Sequence, residues 1–125
     1  MPFIDIDRVP PLEIFPGCRI RTPYGKNLML SYVEIDAGAV VPEHSHPHEQ
    51  AGYVLGGRVR FTIGGETRTL GAGDMFLIPP DVPHTVAAVD GPAVVLDVFS
   101  PVREDYATMT NRYITGHSSA IPPVP

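Results

Sequence analysis

A chain of 125 residues with a formal charge of −5, one Cys and five His is long enough to bury one core without covalent staples and carries no basic stripe to track phosphates, so nucleic acid is excluded as a partner. The lone Cys18 excludes an internal disulfide framework, and with neither an apolar leader-like segment nor a run of about 18 apolar residues the chain is expected to be cytoplasmic and to have no membrane partner. Apolar residues make up 43% of the sequence while 12 Gly and 15 Pro punctuate it, a combination that suits many short strands better than long helices.

Residues 1–17, "MPFIDIDRVPPLEIFPG", hold four prolines and no sustained period, and are expected to lie as an arm over the domain rather than as a core element. Its Phe3, Ile4, Ile6, Leu12, Ile14 and Phe15 then need cover. From residue 18 the chain divides into eight short β-prone segments, at 18–22, 27–35, 51–55, 58–63, 66–70, 75–79, 84–89 and 93–99. Gly56-Gly57, Gly64-Gly65 and Asp90-Gly91 supply hairpin turns between them. No helical period precedes residue 103. These strands predict a single all-β domain over 18–116, a sandwich or closed jelly-roll barrel, with 117–125 as a loose tail.

Between the second and third segments lies "PEHSHPHEQ", residues 42–50, with three of the five histidines at alternating positions. A transition metal requires three or four neutral imidazoles or oxygens converging from rigid elements, and alternating residues of an extended chain face one way. His44 and His46 fit that requirement. Three successive imidazoles on one strand would spread over about 13 Å, and Pro47 breaks the strand before His48, so one of the three is expected outside the metal's shell. Gln50 and His84 can complete the site from neighbouring strands, His84 following the proline-fixed turn "IPPDVP".

The segment "AVVLDVFSPVRED" places Asp97 inside an apolar run that reads as a strand buried on both faces. An isolated carboxylate there takes up a proton unless a cation or donor answers it. Asp97 and Phe99 share parity, and "SPV" is a turn able to return the Arg103 guanidinium over the barrel mouth. On these residues alone, a functional cluster and a structural Asp97–Arg103 ion pair are equally supported.

The spacing of Gly38, His44, His46, Gln50 and Gly57, followed by that of Gly73, Pro79 and His84, resembles the two cupin motifs. Gln50 stands where most cupins have Glu, Asp81 where they have Gly and Ala88 where they have Asn. The resemblance implies a double-stranded β-helix (jelly-roll) barrel in which His44, His46, Gln50 and His84 hold one divalent transition metal ion, with Ni, Zn, Mn and Fe not distinguished. That ligand set, together with Asp97, Phe99 and Arg103 in "DVFSPVREDY", is more closely similar to the KdgF-type cupins of pectin and alginate breakdown. This similarity implies an enzyme that opens the ring of 4,5-unsaturated monouronates, of galacturonate or mannuronate type, to the linear keto acid. Asp97, Phe99 and Arg103 are then catalytic, and the partner is a small anionic sugar acid. Other cupins use the barrel for metal-dependent dioxygenase or oxidase chemistry, or bind a sugar or metabolite without catalysis, and oxygen uptake discriminates the first of these. The segments 27–35 and 93–99 are apolar on both faces, which together with the arm predicts a homodimer.

Overall fold

The structure, a computed structural model, describes residues 3–107. Ten strands follow one another in short steps: β1 (Leu12–Phe15), β2 (Cys18–Arg21), β3 (Met29–Ile35), β4 (Val40–His44), β5 (Glu49–Gly56), β6 (Arg58–Ile63), β7 (Glu66–Gly71), β8 (Met75–Ile78), β9 (His84–Ala88) and β10 (Ala93–Ser100). They pair antiparallel into a six-stranded sheet, β1-β2-β3-β10-β5-β8, and a four-stranded sheet, β4-β9-β6-β7. This is the all-β jelly roll expected from the sequence. Period-two patterning closes it: Met29, Ser31, Val33 and Ile35 of β3 are buried while Leu30, Tyr32 and Glu34 face outward. The two inner faces meet over Ile20, Val54, Val59, Phe61, Ile78 and Val95. Cys18 is a free, buried thiol at the end of this core.

Two strands were not among the eight expected. β1 runs through the second half of the arm and pairs with β2 across a turn at Gly17 (φ +80°), so Leu12 belongs to the core. The expected boundary after residue 17 therefore falls inside a hairpin. Four residues are too few to show a period, and Pro11 and Pro16 flank the strand without entering it. The first half of the arm forms a 3₁₀ turn at Ile6–Arg8, with the fully buried Val9 packed against Ile4 and Ile6. β4 contains Pro42, which obscures it in the sequence. It lies at the edge of the four-stranded sheet, where a missing N–H removes no ladder bond.

The expected barrel end at residue 116, the tail 117–125 and His117 lie outside the described residues. Among the described residues no helix is long and apolar enough to cross a membrane.

Candidate metal centre

The site forms where the two sheets meet. His44 closes β4 and pairs in register with His84, the first residue of β9. His46 sits on the loop between β4 and β5, so its approach to His44 comes from the loop and not from strand alternation. Gln50 enters from the other sheet, between Phe99 of β10 and Ile78 of β8. One ring nitrogen each from His44, His46 and His84 lie within 4.8 Å of one another, with His46 and His84 buried and His44 half-buried.

Each of the three imidazoles is oriented by a backbone carbonyl. His44 Nδ1 lies 2.8 Å from the Pro42 carbonyl, His46 Nδ1 3.1 Å from that of His48, and His84 Nδ1 2.9 Å from that of Val82. A carbonyl oxygen only accepts, so each Nδ1 carries the proton and each Nε2 keeps its lone pair. Gln50 donates its amide N–H to Asp97, which aims Gln50 Oε1 at His46 Nε2, 3.0 Å away. Two lone pairs thus face one another, and the buried His84 Nε2 has no hydrogen-bond partner. A cation answers all three atoms. Burial, with help from the Arg103 charge, pushes His46 down to about 4, and burial lowers His84 as well. His46 and His84 are therefore neutral ligands at neutral pH. Three imidazole nitrogens with one amide oxygen fit a divalent transition metal, and His44, His46, Gln50 and His84 are the residues that would hold it.

His48 is not in the histidine cluster. Its ring lies 5.4 Å from that of His46, and its contribution is the carbonyl that orients His46. The replaced glycine is explained too. Asp81 takes φ +65°, the left-handed region that glycine enters freely, and its N–H donates to the His46 carbonyl at 2.8 Å. Aspartate adopts this conformation at a cost on the order of 1 kcal/mol, and the turn still clamps the His46 loop.

Asp97 and Phe99 point inward from β10, and both line one cavity with His44, Gln50, His84 and Arg103. Burial raises Asp97 to about 7, against the opposing effects of the Gln50 hydrogen bond and the Arg103 charge. Arg103 is buried, with its guanidinium carbon 3.8 Å from the Tyr106 ring centroid and 5.1 Å from that of Phe99. Its carboxylate partner is Asp105, at 2.9 and 3.3 Å. No ion pair joins Asp97 to Arg103 among the described residues. Asp105 and Tyr106 were missed in the sequence, although the spacing held a signal for Tyr106. A helical turn starts at Glu104, with the Ala107 N–H on the Arg103 carbonyl at 2.8 Å, and residues three apart on such a turn are neighbours. Cys18 and Ser31 also line the cavity and were missed.

The Cupin domain family matches residues 31–99. The pectin degradation protein KdgF of Dickeya dadantii is 33% identical over 106 residues, 83% of this chain and 96% of that protein. The solved structure of KdgF from Halomonas sp. superposes with a TM-score of 0.78 at 33% identity, over 83% of this chain and 96% of that one. An RmlC-like cupin from Shewanella frigidimarina matches with a TM-score of 0.78 at 30% identity, over 83% and 94% of the two chains.

Proposed function

The chain belongs to the cupin family, and from that premise we propose that it is an enzyme that opens the ring of a 4,5-unsaturated monouronate to the linear keto acid. The observation that carries this reading is the company kept by the metal ligands: an inward carboxylate without an ion-pair partner and a buried guanidinium share their cavity. A divalent cation held by His44, His46, Gln50 and His84 would supply electrostatic stabilisation to negative charge that develops on substrate oxygen.

The protein's own groups account for binding and proton movement. Asp105 occupies the Nε–Nη2 edge of Arg103, which leaves the Nη1–Nη2 edge of the fork for a substrate carboxylate. Tyr106 and Phe99 hold that fork by stacking. Ring opening removes the proton of the anomeric hydroxyl, forms the C1 carbonyl and breaks the bond from C1 to the ring oxygen, leaving an enolate that takes a proton at C4. One proton leaves and one returns, without redox. Asp97 is the group we assign to both transfers, and Phe99 forms a wall against the sugar. The test is loss of the ultraviolet absorbance of the conjugated alkene in unsaturated galacturonate and mannuronate. A rate well above spontaneous opening is expected, and a wild-type protein no faster than buffer on either epimer overturns the proposal.

We also propose a homodimer built on the outer face of the six-stranded sheet. Register aligns Leu30, Val98, Ala51 and Leu77 in one row, and Tyr32, Leu96, Tyr53 and Met75 in the next. The arm reaches only one end of this face, where Ile4 and Ile6 line a groove with Leu30, Tyr32 and Leu96. Met75 remains 74% exposed and Leu77 59%, the kind of contiguous apolar patch that a second copy covers. Size-exclusion chromatography with light scattering is expected to give a dimer for the wild type at micromolar concentration and a monomer for Leu77→Lys. A monomeric wild type rejects the interface.

A further inference from the structure

We infer that Ser31 and Asp97 form a hydroxyl-binding subsite in the metal cavity, which takes one hydroxyl of a polyhydroxylated acid and selects for it. The inference rests on the reading of the cavity as a sugar-acid site and adds a specificity residue to it. Ser31 is 1% exposed, and its Oγ is buried without a hydrogen-bond partner. Asp97 Oδ1 is in the same condition.

The two residues are directly opposite one another on β3 and β10, so their side chains share a face with Cβ atoms about 4.5–5.5 Å apart. Both line the cavity. Buried polar atoms are almost always satisfied, and each orphan forfeits its hydration for nothing. Two orphans side by side in one cavity therefore mark a place for a missing partner. The other inward residues of β3, namely Met29, Val33 and Ile35, are apolar, so packing alone would favour an alanine or valine at position 31.

One hydroxyl satisfies both atoms, donating its proton to Asp97 Oδ1 while accepting the Ser31 O–H. A second carboxylate cannot, because Asp97 would repel it. The Gln50 amide of β5 leaves Asp97 Oδ1 without a partner, and directly opposite Asp97 that strand presents Gly52, where the Phe76 ring fills the space a side chain would need. The cavity thus has a cationic end at Arg103 for the acid group and a hydroxyl end at Ser31.

The test uses metal-loaded protein and two saturated probes that lack the alkene needed for ring opening: D-galacturonate, and tetrahydropyran-2-carboxylate, which keeps the ring and acid but has no hydroxyl. Calorimetric titration of wild type is expected to show tighter binding of galacturonate. Ser31→Ala is expected to weaken galacturonate by about tenfold, the worth of one hydrogen bond, to leave tetrahydropyran-2-carboxylate unchanged, and to melt no earlier than wild type. Equal affinity of the two probes for wild type, no binding of galacturonate, or a Ser31→Ala variant that binds galacturonate as wild type does would each overturn the subsite. Ring opening by a wild-type protein that fails to distinguish the probes removes the subsite alone. Probe discrimination without ring opening removes the reaction alone.

Discussion

His84→Ala is expected to reduce bound divalent metal from about one equivalent to near zero, whereas His48→Ala keeps its metal. His84 is buried at the start of β9, with Nδ1 committed to the Val82 carbonyl and Nε2 facing the His44 and His46 rings, 4.3 and 5.0 Å away between centroids. Its removal takes one of three imidazoles from a site that alanine cannot rebuild. His48 lies outside the cluster and supports His46 through its backbone carbonyl, which alanine retains. The expected result is therefore asymmetric between two histidines of one small domain, and elemental analysis of dialysed protein reads it. Thermal melts give a second readout, since a ligand bound only to the folded state at 100 times its Kd stabilises by about 2.7 kcal/mol. Adding metal should raise the melting temperature of wild type and His48→Ala, and not that of His84→Ala. Metal lost from His48→Ala and retained by His84→Ala would reverse the ligand assignment.

The parts of this site that were legible in the sequence are those whose spacing is tied to regular structure or to a fixed turn. His44, His46, Gln50 and His84 keep fixed separations because His44 ends β4, His84 begins β9, Gln50 is the second residue of β5 and His46 lies on the short loop between β4 and β5, and the proline turn before His84 reads directly. The barrel was legible from short alternating segments and glycine pairs. Less accessible were elements whose signal is shorter than its own period, such as the four residues of β1, or masked by a residue tolerated only in context, such as Pro42 on the edge strand β4. Partner choice was hidden for a different reason. Nothing in "SPVREDY" decides whether Arg103 pairs with Asp97 or Asp105, because the answer depends on the helical turn from Glu104 folding the Asp105 carboxylate back onto the guanidinium. Ser31 was overlooked as one small polar residue in an apolar strand, and its meaning arises only from the register that sets it opposite Asp97.

Asp97→Asn and Arg103→Lys are expected to fold, bind metal and lose most turnover of unsaturated galacturonate or mannuronate. Had the two side chains formed a buried ion pair, removing either would strand a charge and cost about 3–5 kcal/mol. They do not pair, so that cost does not arise. Asparagine is nearly isosteric with Asp97, keeps an oxygen to accept from the Gln50 amide, and relieves a buried carboxylate whose Oδ1 has no partner. Arg103→Lys keeps the charge and loses the two-point pairing with Asp105, whose side chain is 55% exposed and can return to water although that of Arg103 is 10% exposed, a loss on the order of 1 kcal/mol. Melting temperatures within a few degrees of wild type are therefore expected for both variants. Activity should respond very differently. Loss of a proton-transfer group acts in the transition state, so Asp97→Asn should lower kcat by about 10²–10⁴-fold, with a smaller rise in KM from the lost hydroxyl acceptor. Lysine keeps the charge of Arg103 without the planar fork or its stacking on Tyr106, so Arg103→Lys should raise KM as well as lower kcat. Variants that melt early, with activity lost in proportion to folded protein, would return both residues to a structural role. Variants that fold and turn over at the wild-type rate would show that the cavity's chemistry runs through other groups.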